Sequence, residues 1–309
     1  MSLIIVLGPT ASGKTSISVE LAEKFNGEII GADSVQIYRD LVIGSAAPTE
    51  EEKKRIPHHL TGTYSLDMET NAGSYVSEAL PIVESIHSKD KNCIMAGGTN
   101  FYVEAFLKGL SPVPQIETEK RKEIDAELDN FDTKELYSRL LKTDPEWAGL
   151  ISSPNDRQRI KRGLEVYILT GKTLSEWNRK KREKKYKGQF FAFSIDMERD
   201  RLYRNINERS KLMVKNGLVE EVRNINEKGF NSANCKAMGS IGYKETEMYL
   251  KEEIKSVDEL IDTIALNTRH LAKRQMTWLR NRNYVRHIKR ENVFKQTEEY
   301  FSKIDCSKF

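Results

Sequence analysis

Gly8-Pro9-Thr10-Ala11-Ser12-Gly13-Lys14-Thr15 is the stretch whose reading decides the fold. Its spacing is GxxxxGK[ST], and it lies between a short apolar run, Leu3–Leu7, and a segment with helical periodicity over residues 16–25. Strand and helix therefore fall where a phosphate-binding loop needs them. The glycines let the backbone wrap an anion with its N–H groups turned inward. The helix that follows adds the positive end of its dipole. Lys14 supplies a point charge, and Thr15 supplies a hydroxyl suited to Mg2+.

Outward from the loop, residues 28–32 read as a second strand ending at Asp33, and Asn92–Ala96 as a third ending in Gly97-Gly98. Strand–loop–helix alternation predicts an α/β fold: a P-loop NTPase-like parallel sheet core flanked by helices. In such sheets ligands sit at the carboxyl ends of the strands. Three marked positions share that end: the loop, Asp33 and the Gly97-Gly98-Thr99 turn. A Walker B acid is the usual companion of this loop in ATPases and kinases. Cys93 to Ala96 ends without one, and Asp33 follows Thr15 by only eighteen residues. The loop is thus open to a diphosphate held without ATP hydrolysis. Asp33 has two readings, a general base or Mg2+ ligand, and the cap of the turn that follows it.

A Pro-rich break at Ser111-Pro112-Val113-Pro114 precedes a charged, helical stretch, and residues 190–195 read as a strand again. The expected organisation is a core of residues 1–114 and 190–290, a helical insertion of residues 115–189, and a C-terminal tail of residues 291–309. Within the insertion, a helix over residues 160–170 is closed by Gly171. Helices are expected over residues 201–216, 218–228 and 258–282.

The 309 residues are 38% hydrophobic and carry a net charge of +4, enough apolar content for a core but no bulk demand for a polyanion. Charge distribution is more telling. Residues 179–187 hold seven cations against one acid, and residues 263–290 hold no acid at all. Arg269 and Lys273 share a helix face, with Trp278 and Tyr284 interleaved. This pattern favours a polyanionic partner over a merely solvated face. Cys93, Cys235 and Cys306 are far apart and lack zinc spacing, so free thiols are expected. No run is apolar enough to cross a bilayer. A soluble, cytoplasmic protein without a membrane partner is expected, as a monomer.

Taken together, the motifs resemble the tRNA dimethylallyltransferase (isopentenyl-tRNA transferase) family, bacterial type. The matching pieces are Gly8 to Thr15; Asp33-Ser34-Val35-Gln36-Ile37-Tyr38-Arg39 with Ile43-Gly44; Ile56-Pro57-His58-His59-Leu60; and Gly97-Gly98-Thr99-Asn100-Phe101-Tyr102. Further on come Asn155-Asp156-Arg157-Gln158-Arg159-Ile160, Gly217-Leu218-Val219-Glu220-Glu221-Val222, Ile241-Gly242-Tyr243-Lys244-Glu245, and the run from Thr268 to Arg280. They follow in order over nearly the whole chain.

The resemblance implies transfer of a dimethylallyl group from dimethylallyl diphosphate to N6 of the adenosine 3′-adjacent to the anticodon, in tRNAs reading codons that begin with U. It makes Asp33 the base and places Thr99 at the reacting centre. Gly8, Pro9, Thr10, Ala11, Ser12, Gly13, Lys14, Thr15 and Arg209 become the diphosphate site, with Mg2+ on Thr15. The implied tRNA contacts are Asp33, Ser34, Val35, Gln36, Gln158, Arg159, Ile160, Lys161, Arg162, Gly242, Tyr243, Lys244, Arg269, Lys273, Arg274 and Arg280. One departure stands out: the family often has two arginines four apart, and here the first position is Asn205, only Arg209 matching. From the residues alone, two other activities stay open, prenylation of a free adenine nucleotide and phosphoryl transfer by a nucleotide kinase.

Overall fold

The computed structural model describes residues 1–114 and 117–306. In chain order, the first part runs β1 (Leu3–Leu7), α1 (Lys14–Lys24), β2 (Gly27–Gly31), α2 (Glu50–Arg55), β3 (His58–His59), α3 (Ala72–Ser88), β4 (Asn92–Ala96) and α4 (Asn100–Lys108). Five helices follow: α5 (Thr118–Asp129), α6 (Thr133–Thr143), α7 (Pro145–Leu150), α8 (Arg157–Thr170) and α9 (Leu174–Arg179). The chain then returns with β5 (Phe190–Asp196), α10 (Arg199–Lys215), α11 (Leu218–Glu227), α12 (Tyr243–Leu250), α13 (Val257–Arg280), β6 (Arg286–Lys289) and α14 (Val293–Cys306).

Two compact units result, residues 1–107 with 186–309, and residues 108–185. The expected boundary at residue 115 lies outside the described residues. In the larger unit six strands form one sheet in the order β3-β2-β4-β1-β5-β6, every pair parallel. A strand inside such a sheet is covered on both faces, which is why Leu3–Leu7 is apolar throughout and fully buried. One face packs Ile4, Val6, Ile29, Ile94 and Phe193 against Ile17 and Leu21 of α1.

Within the expected tail of residues 291–309, Val293–Cys306 forms helix α14. β6 extends the sheet beside β5, pairing Ile195 with Ile288. Val293 of α14 is fully buried, and Phe294, Tyr300 and Phe301 pack on the same core. The strand escaped the sequence reading because Arg286–Lys289 carries one buried apolar residue, Ile288, among charges. His58 and His59 form the short edge strand β3, with His59 Nε2 bonded to Glu28 Oε2 at 2.8 Å.

The smaller unit has its own core of Leu128, Leu136, Leu140, Ala148, Ile151, Ile160 and Leu164. Helix α8 begins at an Asp156 cap that accepts from Arg159 N, and it ends at Gly171 with φ +67°. Cys93 and Cys235 are free and buried, and the Cys306 side chain lies outside the described residues. Among the described residues no helix is long and apolar enough to cross a membrane.

Candidate active site

In the loop after β1, Gly13 at φ +86° and Ala11 at φ +63° have positive φ, as does Gly8 at φ +149°. Glycine takes this conformation without strain, whereas an alanine is held in it by its surroundings. Asn205 Nδ2 of α10 donates to the Ala11 carbonyl at 3.1 Å. Thr10 is fixed twice: its N–H donates to Gln275 Oε1 of α13 at 2.9 Å, and its hydroxyl accepts from Arg209 Nη1 at 3.2 Å. The first backbone bond into α1 is Ile17 N to Gly13 O. The N–H groups of Lys14, Thr15 and Ser16 therefore precede the helical ladder and point out of its N-terminus, where an anion is stabilised.

Lys14 is enclosed, donating to the Gly8 and Pro9 carbonyls at 3.0 and 2.8 Å. Burial lowers its pKa to about 8; Asp33 nearby pulls it up and Arg209 pushes it down. Burial likewise lowers the Arg209 guanidinium from its ordinary value, with Asp33 opposing. These three groups line one cavity of about 420 Å³, together with Thr15, Gln36, Gly98 and Gln275.

Asp33 caps the turn that follows it and also borders the cavity. Oδ1 caps the turn, accepting from Val35 N and Gln36 N at 2.9 and 3.3 Å. Oδ2 accepts from Gly98 N at 3.3 Å, and the residue lines the cavity. Gly97 makes this meeting possible, because a Cβ there would overlap the Ala32 backbone. Thr99 acts one step behind. Its oxygen accepts from Ser34 N at 2.9 Å and its hydroxyl bonds Ser34 Oγ at 3.1 Å, so it fixes the Asp33-Ser34 turn. Val35 and Gln36 line the cavity, with the Gln36 amide donating to the Ser45 and Ala46 carbonyls at 3.1 Å each.

Two residues named as tRNA contacts have their side chains in packed interiors. Ile160 is fully buried in the core of the smaller unit. Tyr243 is fully buried and donates to Glu221 Oε1 at 2.7 Å. Their apolar surface is worth more in the core than against a solvated polyanion. Gly242, at φ +97°, is buried at the start of α12, and Lys244 beside it is exposed. In the smaller unit Gln158 and Arg159 are exposed. Lys161 bonds Asp125 and Asp129, and Arg162 bonds Glu165. On α13, Lys273, Arg274 and Arg280 are exposed, while Arg269 donates to Asn207 Oδ1 at 2.6 Å.

Sequence reasoning missed Gln275. The available signal was a polar residue on the stripe that α13 buries, between Ala272 and Leu279. It also missed Glu221, whose carboxylate accepts from the Val42, Ile43 and Gly44 N–H groups and so shapes the loop before Ser45.

The sequence model of the family described as IPP transferase matches residues 36–282. The chain belongs to the IPP transferase family. A tRNA dimethylallyltransferase of Geobacter sulfurreducens is 42% identical over 278 residues, covering 90% of this chain and 88% of that protein. Among solved structures, the tRNA isopentenylpyrophosphate transferase of Bacillus halodurans superposes with a TM-score of 0.70 at 32% identity, covering 98% of this chain and 96% of that one. A eukaryotic dimethylallyltransferase acting on tRNA gives a TM-score of 0.73 at 29% identity, over 90% of this chain and 70% of its own. The P-loop-type parallel sheet of this IPP transferase is thus the architecture of its relatives.

Proposed function

We propose that this chain is a tRNA dimethylallyltransferase that moves a dimethylallyl group from dimethylallyl diphosphate to the N6 amine of the adenosine 3′-adjacent to the anticodon, in tRNAs reading codons that begin with U. It does so as a monomeric, cytoplasmic enzyme. The observation that carries the reading is that Asp33 and the P-loop, with Lys14 and Arg209, line one cavity. A base and an anion cradle then face each other across a space the size of a small-molecule site.

The amine nitrogen attacks the allylic carbon that bears the diphosphate. A C–N bond forms as the C–O bond to the diphosphate breaks, and the amine gives one proton to the Asp33 carboxylate. The α1 N–H groups, Lys14 and Arg209 take up the charge that builds on the leaving diphosphate. An anion beside Lys14 favours its ammonium form, against the burial that lowers its pKa to about 8. The adenine leaves its stack to reach the cavity, which unpaired loop bases do at small cost.

Magnesium fits this donor set. The described residues hold no group of three or more His, Cys, Asp or Glu able to take a metal, but the Thr15 hydroxyl lines the cavity, and Asp33 is left free to act as the base. Mg2+ commonly takes one or two protein oxygens and fills its shell with phosphate and water. When bound, it would neutralise diphosphate charge.

The test is transfer from labelled dimethylallyl diphosphate with Mg2+, offered tRNA carrying the unmodified adenosine or AMP. Labelled tRNA is expected, and labelling of AMP alone overturns the tRNA reading. Asp33→Asn is expected to slow transfer by about 10²- to 10⁴-fold, the usual worth of a general base, while tRNA still binds. Unchanged transfer in that variant removes Asp33 from the chemistry.

A further inference from the structure

The P-loop and the base are joined by an unbroken chain of hydrogen bonds. Thr10 N donates to Gln275 Oε1 at 2.9 Å. Gln275 Nε2 donates to the Gly98 carbonyl at 2.9 Å. Gly98 N donates to Asp33 Oδ2 at 3.3 Å. A backbone N–H can only donate and a carbonyl can only accept, so just one orientation of the amide satisfies both neighbours. Gln275 is 8% exposed, and a buried amide with both ends paired holds one position. There is little slack around it. A Cβ at Gly98 would lie 3.0 Å from Asp33 Oδ2 and 3.2 Å from Gln275 Nε2.

The two ends of this chain carry the two halves of the reaction. Thr10 belongs to the loop that cradles the donor, and Asp33 takes the proton of the acceptor. Arg209 and Asn205 hold the same loop from α10, but neither reaches across to the Gly98 turn. Gln275 does, from a helix whose adjacent residue, Arg274, faces solvent. We infer that Gln275 is a positioning residue that sets the spacing between the diphosphate cradle and the base. It acts through Thr10 and Gly98. The inference rests on the transfer reaction proposed above.

Holding reactants within bonding reach is worth about 10²-fold per ångström of misplacement. The signature of such a residue is a loss in the chemical step with both ground-state affinities kept. Gln275→Met keeps the volume and loses both bonds. Gln275→Glu keeps an acceptor for Thr10 N but turns an oxygen toward the Gly98 carbonyl. Single-turnover transfer at saturating donor and tRNA is expected to fall about 100-fold in Gln275→Met and about 10-fold in Gln275→Glu. Mg2+-pyrophosphate affinity by calorimetry and tRNA affinity are expected to stay close to those of the unsubstituted protein.

A single-turnover rate in Gln275→Met within threefold of the unsubstituted protein overturns the inference. So does a loss that appears in pyrophosphate or tRNA affinity while the saturated rate is kept, since that is binding or structure alone. Should Gln275→Met fail to fold, Gln275→Glu decides by the same two readouts. Absence of transfer by the unsubstituted protein overturns the assigned reaction and this role with it. Transfer by that protein and an unchanged rate in the variants overturns the role alone.

Discussion

Helices α8 and α13 share a sequence signature, several cations within a few turns, yet they use those cations differently. In α8 of the smaller unit the charges are mostly spent at home. Arg157 bonds Asp129, Lys161 sits between Asp125 and Asp129, and Arg162 with Arg121 holds Glu165. On α13 of the larger unit, Lys273, Arg274 and Arg280 are exposed, in a stretch from residue 263 to 290 with no acid of its own. The difference teaches that a basic helix can offer its cations to a polyanion only where neighbouring elements supply no carboxylates. Helix α5, with Asp125 and Asp129, supplies them to α8.

The comparison can be broken most directly at α13. Combined Lys273→Ala, Arg274→Ala and Arg280→Ala is expected to weaken tRNA binding about 100-fold near physiological salt and to flatten the log–log salt slope by roughly 2–3 units. A titration across salt concentrations checks it, and an unchanged slope would place the tRNA elsewhere.

Next in size is an acid effect confined to the smaller unit. Burial by itself pushes the Glu165 carboxyl up, but Arg121 and Arg162 overcome that and hold it below its ordinary 4.5. A lowered carboxyl pKa gives stability that is fully present above the unfolded value, and lost as pH falls through the folded one. Glu165→Gln should destabilise residues 108–185 by about 1–2 kcal/mol at neutral pH. The gap to the unsubstituted chain should close below pH 4.5. Hydrogen exchange of the full chain, corrected for intrinsic rates, measures this region separately from the rest.

Lys161→Met sharpens the contrast further. Its side chain is 12% exposed, between two aspartate side chains that are each more than half exposed. A local stability loss of about 1 kcal/mol is expected, since solvent screens such pairs. tRNA affinity should change less than the stability does, and a larger fall in affinity would mean that Lys161 leaves its partners to meet phosphate. The smallest effect belongs to Arg159→Ala. Among the described residues this exposed side chain has a 3.3 Å ion-pair contact with Asp156. Its removal is expected to lower tRNA affinity about twofold to threefold and the salt slope by roughly one unit, the share of one phosphate contact.

What the sequence by itself determined about this protein was local or strongly patterned. Leu3–Leu7, the loop from Gly8 to Thr15 and Asn92–Ala96 were legible because a buried parallel strand is apolar along its length and a phosphate loop needs its glycines at fixed spacing. Asp33 was legible because a strand end of such a sheet faces the ligand crevice.

Only the tertiary structure decided the rest. β6 exists through pairing with β5, and α14 through a core built by distant strands. Ile160 and Tyr243 turned inward, and Lys161 turned to Asp125 and Asp129, because packing and charge pairing depend on neighbours far away in sequence. The bridge through Gln275 joins Thr10 to Gly98 across separations of 265 and 177 residues. Helical periodicity can mark such a residue as buried, but a hydrogen bond of that span forms only once the fold has brought its partners together.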